Sequence, residues 1–162
     1  MSKLLTVFVN SYYSQFVHMQ QILDLHIHSK YSRACSRDLE LPKIAKACEI
    51  RGIDIVATGD FTHPKYLAEL KNALTPDGHG FFNVGVQNLE PRKGDEIKFV
   101  LSGEISCIYR DKDKTRRVHL LILIPDFETA DKICADLTAC GCNIKSDGRP
   151  IVGLSAKRVA QI

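Results

Sequence analysis

The chain has 162 residues, enough to bury the core of one domain and not so many as to require a second. A hydrophobic fraction of 44% and a charged fraction of 25% exclude a disordered or fibrous chain. The net charge of +3 permits a nucleic-acid partner without demanding one.

The opening MSKLLTVFVNSYYSQFVHM is apolar and aromatic, but Asn10, Ser11, Ser14 and Gln15 interrupt it. It fits neither a signal peptide nor a membrane span, so no membrane partner and a cytoplasmic location are expected. The first strand pattern, QILDLH, begins just after Met19. Met19 is therefore expected near the natural start, with residues 1–19 an N-terminal extension; the alternative is an extra strand or helix packed on the domain.

From there the chain alternates in a way that predicts a parallel sheet joined by helices. Ile22 to Leu25 reads as a buried strand. Leu41 to Arg51 reads as a helix, with Pro42 in its first turn, Leu41, Ile44, Ala45, Ala47 and Cys48 as its apolar residues, and Gly52 closing it. IDIVATGD is the second strand and its exit. Pro64 opens a second helix whose apolar face is Tyr66, Leu67, Leu70 and Leu74, stopped by Thr75 to Gly78. Residues 77 to 96 read as an irregular excursion. FVLSGEISCIY and RRVHLLILIP are two strands joined across RDKDKT by a hairpin or a longer loop. A helix is expected over Phe127 to Cys140, and Ser155 is expected to cap the start of another.

The six cysteines form no CxxC pair and read as free thiols of a reducing cytosol. Cys140 and Cys142 flank Gly141 and would need distant partners to bind zinc, so ordinary helix-end residues are the better reading.

The histidines and carboxylates carry more information. His26 and His28 are two apart at the end of an apolar run, a spacing that in a strand sends both rings to one side. Asp24 shares that parity and is placed to orient a ligand from behind. Asp60 and His63 follow the second strand, and functional groups of parallel α/β proteins gather at such strand ends. Glu104 lies inside an apolar strand, where a bare carboxylate is costly. His119 begins the apolar run HLLILI. Any one of these residues could be a polar strand end, a cap or a satisfied core group. Six ligand-type residues placed together favour a metal site with Glu104 bridging two ions. Nitrogen and carboxylate donors suit zinc, manganese or iron. His18 and His79 lie in irregular surroundings and are not included.

DLHIHSKYS, TGDFTHP, SGEIS and RVHLLIL resemble the successive motifs of the PHP (polymerase and histidinol phosphatase) superfamily, over essentially everything from Gln20 onward. HSKYSRACS, GDFTHPKYL, SGEISCIY and NIKSDGRPIVGL more narrowly resemble the endonuclease Q family. The resemblance implies a distorted seven-stranded, TIM-like β/α barrel, of which residues 20–162 would be the N-terminal portion. It implies metal-dependent phosphodiester hydrolysis that nicks DNA on the 5′ side of deaminated bases, with two or three zinc, manganese or magnesium ions in the complete site. Carried over, it makes His26 and His28 ligands of a first metal. Glu104 would be the catalytic residue shared with a second, and His119 a ligand of that second ion. Many PHP members place adjacent Asp-His in the second motif; here Phe61 and Thr62 intervene, which leaves open which of Asp60 and His63 binds metal. The family closes its site with a later histidine or cysteine and a final Asp-x-His motif, whereas no histidine follows His119 here.

A closed β/α barrel ordinarily needs roughly 200 residues or more. The sheet is accordingly expected to be open, with edges available to a complementary chain or to self-association, and the isolated chain weak or inactive. Lys30 and Arg33, with Arg37 and Lys65, are candidates to hold DNA phosphates, and Tyr31 to stack on a base. The alternatives are a PHP-type small-molecule phosphatase and a non-catalytic truncated remnant. An ATP-driven helicase is unsupported, because no Walker A sequence is present.

Overall fold

The computed structural model describes residues 20–85 and 97–162. The expectations placed on residues 1–19, and on most of the second half of the 77–96 excursion, lie outside the described residues.

In chain order the elements are β1 (Leu23–Asp24), α1 (Leu41–Arg51), β2 (Ile55–Ala57), α2 (Pro64–Ala73), β3 (Leu74–Pro76) and β4 (Phe82–Val84). They continue with β5 (Lys98–Asp111), β6 (Lys114–Ile124), α3 (Phe127–Ala139), β7 (Ile151–Val152) and α4 (Ala156–Val159). The helix boundaries follow from local chemistry. In α1 the buried residues Leu41, Ile44, Ala45 and Cys48 make one face, and Gly52 ends the helix in the left-handed conformation at φ 70°, which costs a residue without Cβ little. Pro64 starts α2, and Tyr66, Leu67 and Leu70 bury its inner side. Asp126 and Ser155 cap α3 and α4, accepting the backbone N–H groups of Thr129 and Arg158. No helix among the described residues is long and apolar enough to cross a membrane.

The sheet is mixed rather than parallel throughout. β1, β2 and β5 run parallel in that order, and β7 is parallel to β5. β3 with β4, β4 with β5 and β5 with β6 are antiparallel. The reason is the Lys112-Asp113 turn: two residues can join only antiparallel neighbours, and pairing runs from Leu101↔Ile124 to Asp111↔Lys114. RDKDKT is thus mostly strand, not loop. Long β5 belongs to two sheets in succession. Its first residues lie between β2 and β4, and its remainder lies between β6 and β7, since Ser106 and Cys107 pair with both. The order β1-β2-β5-β4-β3 does not close on itself among the described residues.

Two further expectations are corrected. Leu74 is buried, but from β3, because the chain turns extended there at φ −108° and ψ 135°. The first strand is short and lies at the sheet margin with β2 as its described neighbour, so Ile22 and Leu23 are exposed instead of buried.

The larger core cluster packs α1 and α2 on β2, β4 and the start of β5 through Ile44, Val56, Tyr66, Leu70, Phe82 and Phe99. A smaller one joins Ile105, Cys107, Leu137, Val152 and Val159 beneath β7 and α4. All six cysteines are free thiols. The loops leaving β1 and β2 meet at Gly59. A Cβ there would stand 2.5 Å from the Ile27 carbonyl oxygen, and φ is +68°, so the approach requires glycine.

Candidate metal centre

His26 and His28 lie just past β1, in the loop that crosses Gly59. The crossing, more than strand alternation, aims both rings at β5. The opposing loop is tied to β5 at several points. Thr58 N–H donates to the Val100 carbonyl at 2.9 Å, Gly59 N–H to Ser102 Oγ at 2.8 Å and Phe61 N–H to the Ser102 carbonyl at 3.1 Å. These bonds hold Asp60 at φ 48°, a conformation uncommon outside glycine, and fully bury it.

Glu104 is the convergence point. It is buried in β5, yet its Oε2 lies 2.9 Å from His26 Nε2 and 3.1 Å from His28 Nε2, while His119 Nδ1 contacts Oε1. Burial disfavours the charged carboxylate. The hydrogen bond from His26 and the positive surroundings of His119, Arg149 and His28 outweigh that effect and hold its pKa below the ordinary carboxylate value. One ligand atom each from His26, His28 and Glu104 lies within 4.8 Å of the others.

His28 tests whether this set fits a cation. Its Nδ1 lies 3.0 Å from Asp60 Oδ1 and its Nε2 lies 3.1 Å from Glu104 Oε2. A neutral imidazole has one N–H and can donate to only one of two carboxylates. The second contact requires either another proton or a cation shared by nitrogen and oxygen. With the Nδ1 proton directed to Asp60, the Nε2 lone pair faces His26 and Glu104, the usual arrangement of a histidine ligand supported from behind. The donor set therefore fits a divalent metal.

Asp60 is part of the support. Its Oδ2 accepts the Ser29 backbone N–H at 2.6 Å, the Ser29 hydroxyl at 2.7 Å and the Ser32 hydroxyl at 2.9 Å. The group of three that could hold an ion does not include it. His63 is also apart from that group. It is buried, stacks on Tyr31 at 4.4 Å between ring centroids, and its Nδ1 has no hydrogen-bond partner. Burial depresses its pKa, with the Lys145 backbone and Asp60 opposing the shift. His119 touches Glu104 from β6 with its side chain half exposed. Asp24 accepts the backbone N–H of His26 at 3.4 Å, so it acts on the loop, not on the ring.

The cations distribute differently from the sequence expectation. Lys30 is engaged by Glu40 at 3.2 Å and Glu69 at 3.1 Å, and the Tyr31 hydroxyl donates to Glu69 at 2.6 Å. Arg33 is exposed, with its Nε 3.8 Å from Asp147 Oδ2. Arg37 and Lys65 are exposed. The sequence reading passed over Ser29, Ser32 and Arg149. Two serines have no legible role until a buried carboxylate stands between them. Arg149 reaches Glu104, at 3.9 Å from Nη1 to Oε1, only because β7 lies beside β5.

No protein-family model matches the chain. An uncharacterized protein of Methanocaldococcus jannaschii is 30% identical over 140 residues, which are 86% of this chain and 14% of that protein. The crystal structure of the lesion-specific endonuclease PfuEndoQ from Pyrococcus furiosus is similar at a TM-score of 0.70 and 31% identity, over 86% of this chain and 30% of that one. A structure of endonuclease Q with a 27-mer duplex bearing an abasic lesion at the active site matches at a TM-score of 0.70 and 32% identity, over 86% of this chain and 31% of that one. The fold is thus similar to that of endonuclease Q. The chain spans about a seventh of the curated relative and under a third of the solved chains.

Proposed function

We propose that residues 20–162 form the N-terminal portion of a PHP-type barrel in an endonuclease Q-like enzyme, which hydrolyses DNA phosphodiesters on the 5′ side of deaminated bases. The observation that carries the proposal is the convergence of His26 and His28 on the buried Glu104, with Asp60 behind His28. The likeness to two endonuclease Q structures supports the same reading.

In this reading His26 and His28 would hold a first divalent ion, Glu104 would be shared between it and a second, and His119 would serve the second. Zinc, manganese and magnesium all suit such donors, with two or three ions in the complete site. Bound metal supplies acidified water and neutralises phosphate charge. The chain's own contribution is placement. Asp60 keeps the Nε2 lone pair of His28 toward the cluster. Against the opposing effect of burial, the hydrogen bond from His26 and the nearby His119 and Arg149 keep Glu104 ionised. His26 and His119 are each about half exposed, leaving the cluster open on the side that β6 faces. The remainder of a longer protein, or a complementary chain, is proposed to cover that side, and the chain alone is expected to be weak or inactive.

The experiment measures bound metal together with nicking of duplexes containing deoxyuridine, deoxyinosine or an abasic site, for this chain and for one extended to the length of its relatives. Bound metal that is lost in His26→Ala and His28→Ala, with cleavage in the extended chain, is expected. Activity confined to small phosphomonoesters would turn the proposal into a phosphatase. A chain that binds no metal at these residues and cleaves nothing in either form would be a non-catalytic remnant.

A further inference from the structure

Arg149 is held beside the metal cluster by two neighbouring anchors. On one side Gly148 N–H donates to the Tyr31 carbonyl at 3.0 Å, and the Gly148 carbonyl accepts the Thr62 hydroxyl at 3.4 Å. A Cβ on Gly148 would stand 2.3 Å from Asp60 Oδ2 and 2.6 Å from Ser32 Oγ. Only glycine lets this loop press against the carboxylate that supports His28. On the other side Ser106 N–H donates to the Pro150 carbonyl at 3.0 Å, and Ile151 then enters β7 in register with Ser106. Asp147 Oδ1 accepts the Arg149 backbone N–H at 3.0 Å and closes the loop between the anchors.

The side chain is less committed than the backbone. Arg149 Nη1 lies 3.9 Å from Glu104 Oε1, and the side chain is 43% exposed. Among the described residues its guanidinium makes this one ion pair and no hydrogen bond, although it carries five N–H donors. Lys30, by contrast, is held between two carboxylates, and Arg33 is 86% exposed. A guanidinium fixed near a metal-binding carboxylate opposes the metal by like charge. An anion bound between them reverses that effect, and the planar fork of arginine suits two oxygens of a phosphate.

We propose that Arg149 binds the non-bridging oxygens of the phosphate undergoing hydrolysis, on the side of Glu104 away from His26. This rests on the phosphodiesterase reading above. The proposal makes Arg149 a substrate-binding residue and not a metal ligand.

The test uses the full chain loaded with zinc or manganese, with inorganic phosphate as the probe. Calorimetric titrations give phosphate affinity and, separately, metal affinity for the wild type, Arg149→Lys and Arg149→Met. The expected result is a loss of phosphate affinity of roughly tenfold or more in Arg149→Met, since hydrogen bonds to charged groups contribute on that scale. A smaller loss is expected in Arg149→Lys, with metal affinity unchanged or tighter in both. The inference is overturned if Arg149→Met binds phosphate as the wild type does. It is equally overturned if metal affinity falls along with phosphate affinity, which would make Arg149 a counter-ion steadying Glu104. A wild-type chain that binds metal but no phosphate overturns the phosphodiesterase reading itself, and that result does not depend on either variant.

Discussion

The two sides of the candidate centre are built in opposite ways. On the β2 side, Asp60 is fully buried and takes hydrogen bonds from Ser29 and Ser32 while it faces His28. On the β6 side, His119 reaches the same Glu104 from a half-exposed strand. Leu121 and Leu123, directly opposite Glu104 and Ser102 and so on the same face, are exposed. One side is fixed by burial and hydrogen bonding before any ion arrives. The other presents ligand and apolar surface together, a combination that suits a face covered by further polypeptide.

Breaking the buried side should have the largest effect. Asp60→Ala strands the donors of Ser29 and Ser32 in the interior, and an unsatisfied buried donor costs about 1–3 kcal/mol. Chemical denaturation is expected to show a loss of about 3 kcal/mol, and metal titration a 10- to 100-fold weaker site. His119→Ala, at the exposed end of the same carboxylate, should change stability by less than about 1 kcal/mol. Equal losses from the two substitutions would remove the distinction between the sides.

A smaller effect separates them by pH. Burial lowers the pKa of His63 below its ordinary 6.5, so the unfolded chain takes up a proton before the folded one does. The contribution of His63 is therefore complete above about pH 6.5 and is lost as pH falls through its depressed folded value. Denaturation midpoints should drop over that range in the wild type and drop less in His63→Phe, which keeps a ring against Tyr31. Identical profiles would show that the buried loop does not sense this imidazole.

The smallest effect on stability is expected from the open side. Replacing Leu121 and Leu123 together with lysine should leave the denaturation midpoint within about 0.5 kcal/mol, because both side chains are already exposed. Sedimentation should nevertheless change. The wild type is expected to self-associate as concentration rises, through the β6 face and edge, and the lysine variant to remain a monomer. A wild-type chain that stays monomeric at high concentration would show that this face is inert.

Local chemistry determined much of what the sequence could determine. The apolar period of α1, Pro64 at the start of α2, the Asp126 and Ser155 caps and the apolar runs of β5 and β6 depend on neighbours a few residues away. The joint appearance of His26, His28, Glu104 and His119 at apolar strands was legible for the same reason, since each is anomalous in its immediate surroundings. Long-range pairing decided the rest. Only the fold shows Asp60 turned toward Ser29 and Ser32, Lys30 spent on Glu40 and Glu69, and β1 paired with β2 alone among the described residues, with Ile22 exposed. Arg149 reaches Glu104 because glycine lets its loop lie against Asp60 and because β7 registers beside Ser106. A sequence displays residue types and their spacing, whereas the partner of a buried charge is set by which distant backbone segments can approach it.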